Sequence, residues 1–128
     1  MRAAFEALAK GRANHVPLSP VSFLLRAATV YANDTAVVHG DVRRSWAEEA
    51  DRIRRVAAGL QAEGSGQGDV VSVLAPNVPE LFEMHFAVPM AGAVLSAINI
   101  RLEPDTISYI LGHSDSKMLV VTPELRGL

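Results

Sequence analysis

Residues 69–102 decide the fold, and they read DVVSVLAPNVPELFEMHFAVPMAGAVLSAINIRL. A continuous apolar run at 70–75 is typical of a strand that is buried on both faces of a sheet. A helix is predicted to open at Asn77, and a second apolar run, Val94–Ile98, follows it. A strand, a helix and a second strand in this order form the building block of a parallel sheet flanked by helices. The stretch therefore predicts an α/β fold.

A capped helix precedes this unit. Ser45 and Glu48, three residues apart, form a capping box, and apolar residues then recur at alternating spacings of four and three. On the opposite face, Glu48 and Arg52 are spaced to form an i,i+4 ion pair. Asp51 and Arg55 are spaced in the same way. The apolar stripe predicted to face the core consists of Trp46, Ala50, Ile53, Ala57 and Leu60.

The remaining segments extend the pattern on both sides. A helix is predicted over 20–31, with Phe23, Leu24, Ala27 and Val30 on one side. The dipeptide Gly40-Asp41 predicts a tight turn between two short strands, 36–39 and 42–45. Pro104 is well placed as the first residue of a further helix, and 117–121 is predicted to be the third strand of the parallel sheet.

Two segments make up the predicted domain organisation. Residues 1–19 are interpreted as an N-terminal arm with a short amphipathic piece that contains Phe5 and Leu8. Residues 20–128 are interpreted as a single α/β unit with a three-stranded parallel core, flanking helices and a β-hairpin.

Composition bounds the class of protein. A chain of 128 residues with 49% hydrophobic residues can form one folded domain. A net charge of −2 gives no reason to expect nucleic acid or an anionic membrane as a partner. The absence of cysteine excludes disulfides and thiolate chemistry and suits the cytoplasm. The N-terminus lacks the hydrophobic core of a secretory signal, and the longest nearly apolar run, 86–98, is too short to span a membrane. We expect a soluble, cytoplasmic protein.

The glycine-rich loop at 63–69, EGSGQGD, is the first candidate for a binding site. Phosphate cradles place glycines before a helix, whose first amides and positive dipole end meet the anion. Here the glycines follow a helix, which Gly64 stops with a left-handed residue, and they precede a strand. A turn is therefore the favoured interpretation. A nucleotide-binding domain that uses this loop is a weaker alternative.

The histidines give little support to a metal or catalytic site. No two of them lie three to five residues apart, so no helical metal pair exists, and no Ser/His/Asp grouping has a sensible spacing. His85 is predicted to be partly buried and hydrogen-bonded rather than to face a ligand. His39, beside the turn, is predicted to lie in solvent. The four histidines are His15, His39, His85 and His113.

The arginines near the capped helix are the single basic concentration in the sequence. Neighbouring acidic residues neutralise most of it, and no aromatic residues are interleaved for base stacking. A solvated helix face is the favoured interpretation. The arginines are Arg43, Arg44, Arg52, Arg54 and Arg55, and the acidic residues are Glu48, Glu49 and Asp51.

Two asparagines and a proline accompany the parallel strands. Asn77, with Glu80 three residues later, is predicted to cap the helix, although it also follows a strand end, where ligands usually bind. Asn99 has the same two interpretations after the second strand. Pro89 is expected to kink or end its helix.

Five short motifs along the chain carry a resemblance to a known family. They are Ser45-Trp46-Ala47-Glu48, Gly68-Asp69-Val70-Val71, Pro76-Asn77, Gly92-Ala93-Val94 and Asn99-Ile100-Arg101-Leu102. Together they make residues 20–128 resemble the N-terminal part of the adenylate-forming enzymes, most of all the acyl-CoA synthetases of fatty or short organic acids.

The resemblance implies a reaction in two steps. A carboxylate attacks ATP to give an acyl-adenylate and pyrophosphate, and the thiol of coenzyme A then displaces AMP, while Mg²⁺ bridges phosphates. The family's phosphate loop, aromatic-Thr-Glu motif, ribose-binding Asp, hinge Arg region and C-terminal Lys all lie beyond residue 128. The sequence Thr122-Pro123-Glu124 lacks the aromatic residue and has proline in place of threonine. No catalytic, cofactor-binding or metal-binding residue is therefore assigned.

We expect this chain to be the truncated N-terminal portion of an ATP-dependent acyl-CoA synthetase, inactive by itself. ATP, Mg²⁺, coenzyme A and a small-molecule carboxylic acid are implied for the full-length enzyme alone. The alternative is a non-catalytic α/β module that binds a partner through the exposed edges of its sheet.

Overall fold

A central parallel sheet and a separate hairpin organise the chain. The computed structural model describes residues 10–11 and 15–127, so the predicted amphipathic piece with Phe5 and Leu8 lies outside the described residues. The elements are, in order, α1 (Pro20–Val30), β1 (Thr35–His39), β2 (Val42–Ser45), α2 (Trp46–Ala62), β3 (Val70–Leu74), α3 (Pro79–Met90), β4 (Val94–Ile98), α4 (Pro104–His113), β5 (Ser116–Val121) and a 3₁₀ turn (Pro123–Leu125).

The three-stranded sheet has β3 at its centre. It pairs in parallel with β4 on one edge and with β5 on the other, in the order β4-β3-β5. Val70 lies opposite Val94, and Leu74 lies opposite both Ile98 and Val121. The α/β fold with a parallel three-strand core is confirmed, and β4 and β5 are its edge strands.

The helices cover the two faces of this sheet. Helix α3 carries the chain from β3 to β4, and α4 carries it back past β3 to β5. Because such crossovers are right-handed as a rule, the two helices are expected on opposite faces, and the two separate cores agree with this. Val71 and Val73 belong to the larger core, with side chains from α1, α2 and α3. Leu74 belongs to the smaller core, where Ile98 and Ile107 of α4 join it.

The capping box at the start of α2 is confirmed. The Ser45 hydroxyl accepts a hydrogen bond from the Glu48 amide, and the Glu48 carboxylate accepts one from the Ser45 amide at 2.8 Å. This amide lowers the pKa of Glu48. The predicted stripe faces the core as expected, with Trp46 half-buried and the other four residues buried. Gly64, at φ +89°, follows the helix as predicted.

Helix α3 begins one residue later than predicted. Val78 is its N-cap, in extended conformation, and Pro79 is its first residue, so the prediction that Asn77 caps the helix with Glu80 is wrong. The physical reason is that proline disfavours helical geometry in the residue before it, which excludes Val78 from the helix. At the other end, α3 stops at Met90, one residue after Pro89, as the proline predicts.

The hairpin and α1 lie beside the larger core. Strands β1 and β2 pair antiparallel around Gly40, whose φ is +54°. Leu24 is the buried residue of α1, whereas Phe23 and Val30 on the same predicted side are exposed. Across 10–11 and 15–127, every helix falls short of the length and apolarity that a bilayer crossing needs.

Truncating Ile53 tests the packing of α2 on the larger core. Its side chain is fully buried, so Ile53→Ala should lower the free energy of unfolding by about 2–5 kcal/mol through lost burial and an unfilled cavity. Urea titration followed by circular dichroism measures this. Val30→Ala, at an exposed position of α1, is the control and should change it by less than about 0.5 kcal/mol. Equal effects of the two substitutions would contradict the core assignment.

Candidate functional site

The carboxyl edge of the parallel sheet carries three polar residues. Asn77 is exposed after β3, and Asn99 follows β4, where its Oδ1 accepts a hydrogen bond from the Arg101 amide at 3.0 Å. Thr122 follows β5, and its amide donates to the Leu74 carbonyl at 3.2 Å. Its buried Oγ1 has no hydrogen-bond partner among the described residues. None of these three residues is a nucleophile paired with a base, so they supply no reacting group to this edge of the sheet.

The glycine loop lies at the opposite, amino end of β3. The Gly66 amide donates to Asp69 Oδ2 at 2.8 Å, and Lys117 Nζ donates to the same oxygen at 2.9 Å and to the Gly64 carbonyl at 2.6 Å. These hydrogen bonds, the one from Lys117 above all, lower the pKa of Asp69. The loop is a turn that the Lys117 side chain of β5 holds in place, as the favoured interpretation predicts.

A cluster of two buried carboxylates and two partly exposed guanidiniums joins the hairpin to the helical layer. Glu83 of α3 accepts hydrogen bonds from Arg52 Nε at 2.7 Å and from Arg44 Nη1 at 2.8 Å. Glu49 of α2 is fully buried, with Oε2 3.5 Å from Arg44 Nη1. We call these four residues the charge cluster. The two carboxylates and two guanidiniums balance in formal charge, so the cluster as a whole has no net charge.

The charge cluster corrects two sequence predictions. Arg44 and Arg52 do not form a solvated helix face, because both bind Glu83. Arg52 is therefore not the partner of Glu48, which stays in the capping box. The second predicted pair, between Asp51 and Arg55, is confirmed at 2.9 Å. Sequence reasoning did not single out Glu83, although an acidic residue between Phe82 and Met84 in an apolar helix was an available signal.

Glu49 is the electrostatically strained member of the cluster. Neither carboxylate oxygen has a hydrogen-bond partner among the described residues. Burial raises the pKa of Glu49, and the nearby charge of Glu83 raises it further, while Arg44 opposes both effects. The ionised form of Glu49 therefore costs the native state stability.

An open groove of about 590 Å³ lies between β1 and α3. We call it the β1–α3 groove. Its polar lining comes from His39, Asn77 and His85, and its apolar lining includes Val37, Val78, Leu81, Phe82 and Phe86.

The histidines do not converge on a metal. His85 is exposed rather than partly buried, but it is hydrogen-bonded as predicted, through Nδ1 to the Leu81 carbonyl at 2.7 Å. His39 is exposed, as expected, and His113 stacks on Tyr109 with ring centroids 5.5 Å apart. Within the described ranges, no three His, Asp or Glu side chains are placed to hold a metal ion.

The described residues do not fit the ATP, Mg²⁺ and coenzyme A that the resemblance implies. The amide of Gly66 and the ammonium of Lys117 are both engaged by Asp69 in the glycine loop. Mg²⁺ in nucleotide sites is held by one or two carboxylates together with substrate phosphates, and the three polar residues that follow the strands at the carboxyl edge, Asn77, Asn99 and Thr122, carry no carboxylate. No step of the adenylation reaction is assigned to these residues.

Comparison with known proteins gives a consistent match. A family model described as "AMP-binding enzyme" matches residues 24–127. The chain is 52% identical over 117 residues to a peroxisomal trans-cinnamate:CoA ligase of Petunia hybrida. The aligned region covers 91% of this chain and 20% of the relative. This chain is 49% identical over 116 residues to a peroxisomal butyrate–CoA ligase of Arabidopsis thaliana, with coverage of 91% and 20%. The chain thus spans about a fifth of the length of these curated relatives.

Solved structures agree with the sequence match. A fatty acyl CoA synthetase of Mycobacterium tuberculosis superposes with a TM-score of 0.81 at 32% identity, over 84% of this chain and 22% of that chain. The anthranilate CoA ligase AuaEII, solved with anthranoyl-AMP, gives a TM-score of 0.82 at 25% identity, over 93% and 24%. These similarities confirm the resemblance that the five motifs indicate.

Removing the Glu83 carboxylate tests the charge cluster. Glu83→Ala leaves two partly exposed guanidiniums without their shared partner, so we expect a loss of about 1–3 kcal/mol in the free energy of unfolding. The control Asp51→Ala removes an exposed ion pair and should cost at most about 1 kcal/mol. Denaturant titration of both variants measures the difference, and a cost for Glu83→Ala as small as that of the control would rule out a stabilising cluster.

The raised pKa of Glu49 predicts a dependence of stability on pH. The native state holds the Glu49 proton more tightly than the unfolded state, whose carboxyl titrates near 4.5, so the native state loses stability as pH rises from that value through the folded pKa. Glu49→Gln should therefore unfold at higher urea than the parent chain at neutral pH, and the gain should vanish towards pH 4.5.

A matched variant in the same helix gives the opposite sign. The pKa of Glu48 is lowered, so its stabilising effect is present above its unfolded pKa and is lost as pH falls through the folded one. Glu48→Gln should be less stable than the parent chain at neutral pH. A neutral-pH loss of stability in Glu49→Gln as well would show that the buried carboxylate is better solvated than its contacts indicate.

Proposed function

The chain belongs to the AMP-binding enzyme family, and from this membership we propose that it forms the N-terminal part of an ATP-dependent acyl-CoA ligase. The whole enzyme would convert a carboxylic acid, ATP and coenzyme A into acyl-CoA, AMP and pyrophosphate through an acyl-adenylate. The observation that carries the proposal is the 52% identity over 117 residues to a CoA ligase. Residues 20–128 would be the partial N-terminal α/β subdomain, and 1–19 its arm.

The role of this segment in the enzyme is that of a scaffold. The polar groups of its loops are engaged in local structure, as in the glycine loop and the Asx turn at Asn99. The adenylation machinery would come from the further four fifths of the length that the relatives have. The acid would be a fatty or short organic acid, since the two named relatives act on cinnamate and butyrate.

The compartment follows as a separate proposal. We favour the cytoplasm because the chain has no cysteine, whereas the names of two relatives place those proteins in peroxisomes. Fluorescence microscopy of the protein tagged at either end would distinguish the two compartments.

A second candidate function comes from the exposed sheet. Val94 of β4 is 55% exposed and Leu119 of β5 is 44% exposed, so apolar surface lies at both edges. A non-catalytic module could bind a partner there. The DNA after codon 128 discriminates between the two functions: a Ser/Thr/Gly-rich loop followed by Pro-Lys-Gly supports the ligase, and an immediate stop codon in an undamaged gene supports the module.

Pyrophosphate release tests the proposed ligase. The protein expressed from its complete gene should release pyrophosphate with ATP, coenzyme A and at least one acid of a panel that contains cinnamate, butyrate and octanoate. The 128-residue chain alone should stay at background, because we assign none of its described residues to the stabilisation of transition-state charge. Turnover by the 128-residue chain would overturn its role as a scaffold, and no turnover by the complete protein would overturn the ligase.

A further inference from the structure

A second pocket, of about 350 Å³, lies between α1, α3 and the start of α2. We call it the α1 pocket. Binding sites are typically concavities of about 300–1,000 Å³ with apolar walls and a few placed polar groups. Phe23 is 59% exposed and Tyr31 is 51% exposed, so the described residues leave aromatic surface uncovered there. Apart from Arg26, the lining is apolar or aromatic and consists of Phe23, Leu24, Ala27, Tyr31, Trp46 and Phe86.

Arg26 gives the lining of the α1 pocket its one charge. It is exposed, and none of the ion pairs among the described residues includes it. A guanidinium prefers a carboxylate as its partner, because the two match in charge and in hydrogen-bonding geometry. The occupant that fits this pocket is therefore a segment with apolar anchors and an acidic side chain beside them.

The first nine residues of the chain, MRAAFEALA, have this composition. They lie outside the described residues. Phe5 and Leu8 are three residues apart, a spacing that places two side chains on one side of a helix. Glu6 lies between them in the sequence and is the single acidic residue among these nine. The segment thus carries two apolar anchors and a carboxylate for Arg26.

The chain itself holds this segment close to the pocket. Residues 9–19 link Leu8 to Pro20, the first residue of α1, and Phe23 in the wall of the pocket follows three residues later. Fully extended, this link of eleven residues reaches about 36 Å, whereas α1, with its 11 residues, is about 16 Å long. The segment can therefore reach every part of α1. Docking is then an intramolecular event, so weak contacts are enough to keep the pocket covered.

We propose that residues 1–9 dock in the α1 pocket of their own chain, with Phe5 and Leu8 against its apolar wall and Glu6 paired with Arg26. The segment then covers the aromatic surface of α1 that the described residues leave exposed. The inference stands on this pocket and on the sequence of the segment, and it does not depend on the proposed ligase.

Chemical access to the pocket tests the proposal in the protein expressed from its complete gene. Ala27→Cys places a thiol in the half-buried wall of the pocket, and mass spectrometry of the peptide around position 27 measures its rate of alkylation by N-ethylmaleimide. Adding Phe5→Ser and Leu8→Ser should speed alkylation at least about fivefold, because the pocket then stays open. The control, Ala3→Ser with Ala7→Ser, should change the rate less than about twofold.

Charge reversal identifies the partner of Arg26. In the Ala27→Cys background, Glu6→Arg should speed alkylation about threefold, because it places two like charges together. Adding Arg26→Glu should restore the slow rate, since the pair then has opposite charges again. Failure of Arg26→Glu to slow the reaction would overturn the pairing with Glu6.

Two further outcomes would overturn docking within one chain. An unchanged rate in the Phe5→Ser/Leu8→Ser variant would show that the pocket is open already or is covered by another part of the protein. The rate should also stay constant when the protein is diluted about tenfold, and faster alkylation on dilution would show that the segment comes from a second copy. Amide hydrogen exchange of α1 is the second readout, free of Ala27→Cys, and Phe5→Ser with Leu8→Ser should speed this exchange too.

Discussion

The central strand β3 must be paired on both edges and covered on both faces, and the arrangement of the other elements follows from this constraint. Its residues from Val71 to Leu74 are buried. Burial of backbone polar groups is tolerable when neighbouring strands satisfy them, and β4 and β5 do so in parallel. Parallel neighbours need crossover connections, which α3 and α4 provide. Even the one polar side chain of this strand core, Ser72, is satisfied through the Ser116 hydroxyl.

The second constraint is electrostatic and places the hairpin. Glu83 is buried within an apolar helix, where an unpaired carboxylate would be costly. The sequence supplies two guanidiniums from different elements, Arg52 from α2 and Arg44 from β2. Satisfying one buried acid thus ties the hairpin to α3 and gives the β1–α3 groove its two walls. Glu49 enters the same cluster without a full hydrogen-bond complement, and its raised pKa is the consequence.

The comparisons establish the family and the fold of this chain. It belongs to a family of AMP-binding enzymes and shares about half of its residues with two CoA ligases, yet it spans about a fifth of their length. The carboxyl edge of its sheet is where α/β proteins usually bind ligands, but its asparagines serve turns or face solvent. The high sequence similarity is therefore direct support for a shared scaffold. It supports the ligase reaction indirectly, because the relatives are about five times as long as the matched region.

The sequence by itself determined the elements whose signals are local. The capping box at Ser45, the stripe of α2, the glycine turn and the strand at Val94–Ile98 depend on neighbours within a few residues, and all were predictable. The start of α3 also depends on local sequence, but there the prediction was wrong. The restriction that Pro79 places on the backbone of Val78 outweighs the capping preference of Asn77. Only the tertiary structure decided the partners of Arg44 and Arg52 and the walls of the groove. Glu83 lies 39 residues from Arg44 and 31 from Arg52, and spacing along one helix cannot report contacts that exist only once separate elements pack together.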